Sequence, residues 1–359
     1  MSASTDPAPL NCFLSSDNTA GIAPEALAAI VAANDGPSFP YGEDPWTKRA
    51  AKLVRDIFET DAAVFFVFNG TAANSLALSA LASSYHRIIC HESAHVETDE
   101  CGAPGFFSGG AKLVPLPGPN GKLDPMGVER SILQRPDVHH SKVTAISLTE
   151  STELGTLYTA DEVTALAGLA KKHGLAVHMD GARFANAAAA LSSTGVRPAD
   201  LTWRAGVDVL CLGGTKNGMV STEAVVFFNP QLASDFAYRV KQGGQLASKQ
   251  RFASAQWVGM LERGAWLRHA AHANAIARRL ANALRSTPRL RLVTEPEANA
   301  VFVEMPVELA TALQRAGWHI VPFFGSGTYR LMGSWSATPE LIDRFIGSLA
   351  ACVHTLGWA

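Results

Sequence analysis

Four short stretches of the sequence carry residue types suited to small-molecule chemistry. Lys216 stands among small residues in CLGGTKNG, Cys211 to Gly218, directly after an apolar run. Glycines on both sides let a bulky group approach the backbone. Partial desolvation lowers a lysine pKa toward the free amine that attacks carbonyls, whereas an ordinary solvent-facing lysine would do nothing of the kind. VHMDGAR places Asp180 and Arg183 at the end of another apolar run. A carboxylate there can pair with a positive ring nitrogen and a guanidinium can fork a carboxylate; the plain alternatives are a helix cap and a surface arginine. In FNGTAAN, Phe68 to Asn74, a strand-like run meets a small-residue turn that opens a helix. Such a turn offers free N–H groups to a phosphate, unless Gly70 only relieves a tight corner. It is neither GxxxxGK[ST] nor GxGxxG, so ATP and dinucleotides lose ground. HESAHVETDECGA, His91 to Ala103, combines two histidines with four carboxylates. Its spacing fits neither HExxH nor a closed Cys/His set, so no metal is expected, and stacking on an aromatic cofactor or proton transfer suits a histidine there better.

The elements that must position these residues alternate along the chain. A short helix is predicted over 24–33 and a longer one over 46–60. Strand-like runs follow at Val64 to Phe68, Arg87 to Cys90, Lys112 to Leu116, Val143 to Leu148, Ala176 to Asp180, Val207 to Leu212 and Ala224 to Phe228. Helical stretches are expected over 72–84 and 161–173. Short apolar strands separated by helices predict an α/β fold, a mostly parallel seven-stranded sheet flanked by helices. Functional residues should then cluster beyond the carboxyl ends of the strands. After Phe228 the chain turns to long Ala/Arg/Leu helices, about 252–284, and ends in a small α/β layer. The expected division is a large domain with its N-terminal segment, residues 1–250, and a small C-terminal domain, residues 251–359.

Composition excludes more than it chooses. The chain has 359 residues, 30 Lys plus Arg against 32 Asp plus Glu, and a formal net charge of -2. That balance gives no reason to propose a nucleic-acid or anionic-membrane partner. No signal-peptide pattern or run of ~20 apolar residues is present, which makes cytoplasmic residence the expectation. Five scattered cysteines, Cys12, Cys90, Cys101, Cys211 and Cys352, form no CxxC pair and are expected as free thiols.

The same motifs, with SSDNTAG at Ser15 to Gly21, YGEDP at Tyr41 to Pro45 and YRLMGSW near the end, make the chain resemble the pyridoxal-phosphate-dependent L-threonine aldolases of low specificity, within the aspartate aminotransferase-like fold-type I group. The lysine falls 36 residues after the aspartate. The resemblance implies pyridoxal 5'-phosphate as cofactor, Lys216 as its Schiff-base partner, Asp180 at the pyridine nitrogen and His95 stacked on the ring. It further implies Gly70 and Thr71 at the phosphate, and Ser16, Arg183 and Arg330 at the carboxylate of an amino-acid substrate, with Arg183 also bordering the cofactor. Tyr41 and Glu43 would border the substrate near a subunit interface, and Lys249 would lend charge to a neighbouring subunit's phosphate, in a homotetramer of site-sharing dimers. The implied reaction is retro-aldol cleavage of L-threonine, L-allo-threonine and related L-β-hydroxy-α-amino acids to glycine and an aldehyde. The alternative is a phenylserine aldolase or transaldolase preferring bulkier substrates. The chain departs from the family pattern at LTESTELGT, where Glu153 occupies a common histidine position. Glu153 thereby joins His95, a water and the cofactor phosphate as candidates for the β-hydroxyl base. Thr215 precedes the lysine where serine is common, and Lys249 replaces an arginine.

Overall fold

The computed structural model describes residues 13–134, 137–325 and 327–358; Cys12 lies outside them. Seven strands, β1 (Ala63–Val67), β2 (His86–His91), β3 (Lys112–Leu116), β4 (Lys142–Thr149), β5 (Ala176–Gly181), β6 (Val209–Gly213) and β7 (Glu223–Phe227), form one sheet in the order β1-β7-β6-β5-β4-β2-β3. The pairs from β3 through β6 are parallel, while β7 runs antiparallel to both β6 and β1. The fold is thus a mostly parallel seven-stranded sheet flanked by helices, with a smaller C-terminal sheet domain. Six strands therefore point their carboxyl ends at one rim.

The helices are α1 (Pro24–Ala33), α2 (Pro45–Phe58), α3 (Gly70–Leu81), α4 (His95–Thr98), α5 (Ala103–Phe107), α6 (Pro125–Leu133), α7 (Ala160–Lys172) and α8 (Phe184–Leu191). They continue with α9 (Phe236–Gln242), α10 (Arg251–Leu261), α11 (Ala265–Arg285), α12 (Val307–Arg315) and α13 (Pro339–Thr355). Their starts are locally encoded. Asp44 caps α2 by accepting from Thr47 N at 2.8 Å, and Thr159 with Glu162 forms a reciprocal capping box on α7. Helices α6 and α8 are additions to the sequence reading. The first was legible as Asp124 before Pro125, an N-cap followed by proline at the first helical position.

Strand alternation divides the burial. On β7, Ala224 and Val226 join the core under α2, α7, α8 and α10, whereas Val225 and Phe227 join the core under α3 and α9. On β5 the same alternation sends Val177 and Met179 one way, and His178 and Asp180 to the α3 face. His178 is a satisfied core histidine: its ring nitrogens meet Ser147 Oγ at 2.9 Å and Cys211 Sγ at 3.3 Å. Burial lowers its pKa to about 4. Cys90, Cys101, Cys211 and Cys352 are free.

The small domain is an antiparallel sheet of β8 (Arg291–Leu292), β9 (Ala300–Glu304), β10 (Pro322–Phe324) and β11 (Thr328–Met332), in the order β10-β11-β9-β8. The two cores meet inside α11 rather than at residue 250. Trp257 on α10 and Ala265, Trp266 and Ala270 on α11 pack with the large sheet, and Ile276 through Leu284 with the small one. The N-terminal segment crosses the same boundary, with Leu14 in the small core and its carbonyl accepting from Met332 N at 2.7 Å. No described helix is long and apolar enough to cross a membrane.

Candidate active site

Five parallel strands deliver the chemistry to the common rim. β1 leads into Gly70 and Thr71, β2 into His95, β4 into Glu153, β5 carries Asp180 and leads into Arg183, and β6 leads into Lys216. A cleft of about 460 Å³ there is lined by His95, Glu153, Arg183 and Lys216, together with Phe323 and Arg330 from the small domain. A larger cavity of about 750 Å³, beside Tyr85, Arg87 and Lys142, opens at the opposite ends of the strands. The chemistry decides between them: only the smaller cleft gathers the lysine, the histidine and the two arginines.

Lys216 sits in a short turn, Thr215–Asn217, held by its neighbours. A Cβ on Gly213 would lie 2.3 Å from Ala182 O, and one on Gly214 2.4 Å from Thr222 O. Those two glycines are therefore dictated by the close approach of the turn to its own protein, which corrects the reading that they admit a ligand. Beneath the turn, Glu223 Oε2 accepts from Gly214 N at 2.6 Å.

Asp180 is buried and engaged on both oxygens, accepting from Ala182 N at 3.0 Å and from Asn74 Nδ2 at 2.9 Å. The second N–H of Asn74 donates to Glu100 Oε1 at 2.8 Å, and the same oxygen lies 2.9 Å from His95 Nδ1. The hydrogen bond that His95 donates to Glu100 raises the His95 pKa against the opposing effect of burial, with Asp180 adding to the rise. Burial in turn raises Glu100, more than its bonds to His95 and Asn74 lower it. Neither Asn74 nor Glu100 carried a role in the sequence reading, although both lie in motifs it singled out.

At the start of α3, Asn69 Oδ1 accepts from Ala72 N at 2.8 Å. Among the described residues the N–H groups of Gly70 and Thr71 find no partner, leaving open donors at the positive helix end. A Cβ on Gly70 would meet no protein atom within 4 Å, so steric relief of a tight corner does not explain this glycine.

Arg183 is neither a surface residue nor an open fork. Its Nε and Nη2 donate to Asp17 Oδ2 and Oδ1 at 2.8 and 3.0 Å, both partners being buried. Burial alone would raise the Asp17 pKa, but the charge and hydrogen bonds of Arg183 outweigh it and bring the carboxyl down to about 2. Asn299 Nδ2, from the small domain, donates to Asp17 Oδ2 at 3.1 Å. Asp17 therefore ties the N-terminal segment to both domains, a role invisible in SSDNTAG. Its neighbour Ser16 instead caps a single turn by accepting from Asn18 N at 3.2 Å. Arg330, on β11, donates through Nε to Ser15 O at 3.3 Å and stacks over Phe323 at 4.2 Å from the ring centroid. Burial, then repulsion by Arg183, lowers its pKa. Among the described residues its other guanidinium nitrogens make no hydrogen bond.

Tyr41, Glu43 and Lys249 do not reach this cleft within one chain. They share an exposed patch, where Tyr41 N donates to Ser248 O at 3.1 Å, Lys241 lies over the Tyr41 ring and Glu43 pairs with Lys48 at 3.3 Å. Among the described residues no cluster of three or more His, Cys, Asp or Glu is arranged to hold a metal.

Chemically, the cleft offers an amine for a carbonyl compound, an imidazole and a guanidinium for a carboxylate, and the same strand rim adds a buried carboxylate for a cationic ring nitrogen and an open helix start for a phosphate. Residues 14–308 match the Beta-eliminating lyase family. The chain is 55% identical over 336 residues to a low specificity L-threonine aldolase of a Pseudomonas species, covering 94% of this chain and 96% of that one. It is 53% identical over 327 residues to the low specificity L-threonine aldolase of Pseudomonas aeruginosa, covering 91% and 94% respectively. The solved structure of Leishmania major threonine aldolase superposes with a TM-score of 0.88 at 27% identity, over 95% of this chain and 99% of that one.

Proposed function

The chain belongs to the low-specificity L-threonine aldolase family of pyridoxal-phosphate-dependent fold-type I enzymes, and we propose that it cleaves L-threonine, L-allo-threonine and related L-β-hydroxy-α-amino acids to glycine and an aldehyde. The observation that carries this reading is the meeting of Lys216, His95, Glu153 and Arg330 around one cleft, with Asp180 joined to His95 through Asn74 and Glu100.

The residues present fit the cofactor: the amine of Lys216, the buried Asp180 carboxylate, the His95 ring and the open N–H groups of Gly70 and Thr71 match its carbonyl, ring nitrogen, ring face and phosphate. When bound, pyridoxal phosphate supplies a carbonyl that condenses with amines and a conjugated ring that accepts the electron pair released at Cα. Asp180 keeps a positive charge on the ring nitrogen favourable. Arg330 grips the substrate carboxylate, while Arg183, held by Asp17, adds positive charge beside it. Glu153 lines the cleft among these cations, as Asp99 also does, and it is Glu153 that takes the proton from the β-hydroxyl oxygen as the Cα–Cβ bond breaks and the aldehyde leaves. The Lys216 ammonium returns a proton to Cα, giving glycine.

Incubation of the purified chain with L-threonine, L-allo-threonine and L-phenylserine, followed by measurement of glycine and aldehyde, tests the reaction. Stoichiometric glycine and aldehyde, abolished in Lys216→Ala together with a visible band near ~420 nm, is the expected result. Keto acid or ammonia without glycine would overturn it. We also propose a cytoplasmic homotetramer of site-sharing dimers, supported by the exposed Tyr41, Glu43 and Lys249 patch outside the cleft; light scattering of the purified chain tests the assembly.

A further inference from the structure

Glu223 is a buried acid for which the reaction above has no use. It opens β7 between Gly213 of β6 and Val67 of β1, and its carboxyl lies beneath the turn that carries Lys216. Oε2 accepts from Gly214 N at 2.6 Å, and Thr215 follows directly in the same turn. Thr215 Oγ1 is fixed from the other side by Thr222 N at 3.3 Å, and Thr222 Oγ1 by the indole N–H of buried Trp257 at 2.9 Å. Among the described residues the hydrogen bond to this carboxyl thus comes from the backbone two positions before Lys216. A buried acid without such donors is costly, so the arrangement is specific to the turn.

We propose that Glu223 is a positioning residue for Lys216, fixing the backbone of its turn and setting, through its own charge, the balance between ammonium and amine on that side chain. The inference deepens the reading of Lys216 as the cofactor-bearing amine and rests on it. Burial raises the Glu223 pKa to about 7, against the lowering by Thr215, by its bond to Gly214 and by the charge of Lys216. The groups facing it are Lys216 and, from β6, Cys211, whose thiol is raised by burial and by the charges of Asp180, Glu100 and Glu223. Below neutrality Glu223 is uncharged and leaves Lys216 alone. Above it the carboxylate favours the ammonium and holds back the free amine.

The test reads lysine reactivity in the full-length chain freed of cofactor, so loss of aldolase activity and failure of this proposal are separate results. Carbamylation of Lys216 by cyanate is followed by peptide mass spectrometry between about pH 6 and pH 9, with exposed Lys249 as internal reference. Glu223→Gln, which keeps an oxygen acceptor for Gly214, should match the native chain near pH 6. Near pH 9 its Lys216 should react roughly three- to tenfold faster, since one pKa unit is tenfold in amine, with Lys249 unchanged. Glu223→Asp should restore the suppression at high pH in part. In the native chain the Lys216-to-Lys249 ratio should fall as pH passes about 7. A flat ratio in the native chain, or a Glu223→Gln ratio that falls past pH 7 as the native one does, overturns the proposal.

Discussion

Glu100 Oε1 lies 2.9 Å from His95 Nδ1 and takes an N–H of Asn74 whose twin N–H goes to Asp180. The histidine beside the cleft and the carboxylate beneath it are therefore joined through one amide. Glu100 favours the imidazolium, so His95 holds its proton to a higher pH than an ordinary histidine.

Glu100→Gln removes the charge while keeping the size. The His95 titration midpoint should fall, read by NMR of the His95 ring protons. The pH limb of kcat/KM that reports His95 should move with it. An unmoved midpoint would mean that Glu100 only fills space.

Asp17 and Arg183 form a fully buried pair, and breaking such a pair costs about 3–5 kcal/mol because the remaining charge stays buried. Asp17→Ala should lower stability by that order in chemical denaturation. The pair also gives the native chain an acid limit. The Asp17 pKa is depressed from 3.8 to about 2, so its contribution is fully present above about pH 4 and is lost as pH falls toward 2. By linkage it is worth about 2 kcal/mol. The stability difference between native and Asp17→Asn chains should therefore shrink over that window.

Arg330 meets the cleft with guanidinium nitrogens that no described residue hydrogen-bonds, in contrast to Arg183. Arg330→Ala should reduce kcat/KM for L-threonine by roughly ten- to hundredfold, the worth of a charged hydrogen bond, mainly through KM. Arg330→Lys should recover part of the loss, because an ammonium keeps the charge and loses the fork.

Glu153 lines the cleft together with Asp99, and taking the β-hydroxyl proton is the role proposed for it. Glu153→Gln should lower kcat by about 10²- to 10⁴-fold with a smaller change in KM. A kcat within threefold of the native value would pass the role to His95 or a water.

Much of this molecule is written locally. Apolar runs from Val64 to Phe228 with intervening helices specify the sheet, and its motifs fall just past strand ends, where a parallel sheet collects them. Lys216, Asp180, His95, Arg183 and the Gly70–Thr71 helix start were legible for that reason, whereas Glu153 entered only through the family resemblance. What the linear pattern does not encode is pairing across distance. The ladder puts β7 between β1 and β6, bringing Glu223 back under Gly214. Chain crossing joins Asp17 to Arg183 over 166 positions and brings Arg330 from the small domain against Ser15. A carboxylate is the same letter whether it caps a turn, holds an arginine or stands open to substrate. By itself the sequence determined the elements, their alternation and the identity of the reactive groups, because those follow from side-chain chemistry and periods of 2 and 3.6 residues. Only the tertiary structure decided which charges are already matched inside the protein and which are left free in the cleft, because that depends on distance and burial in three dimensions.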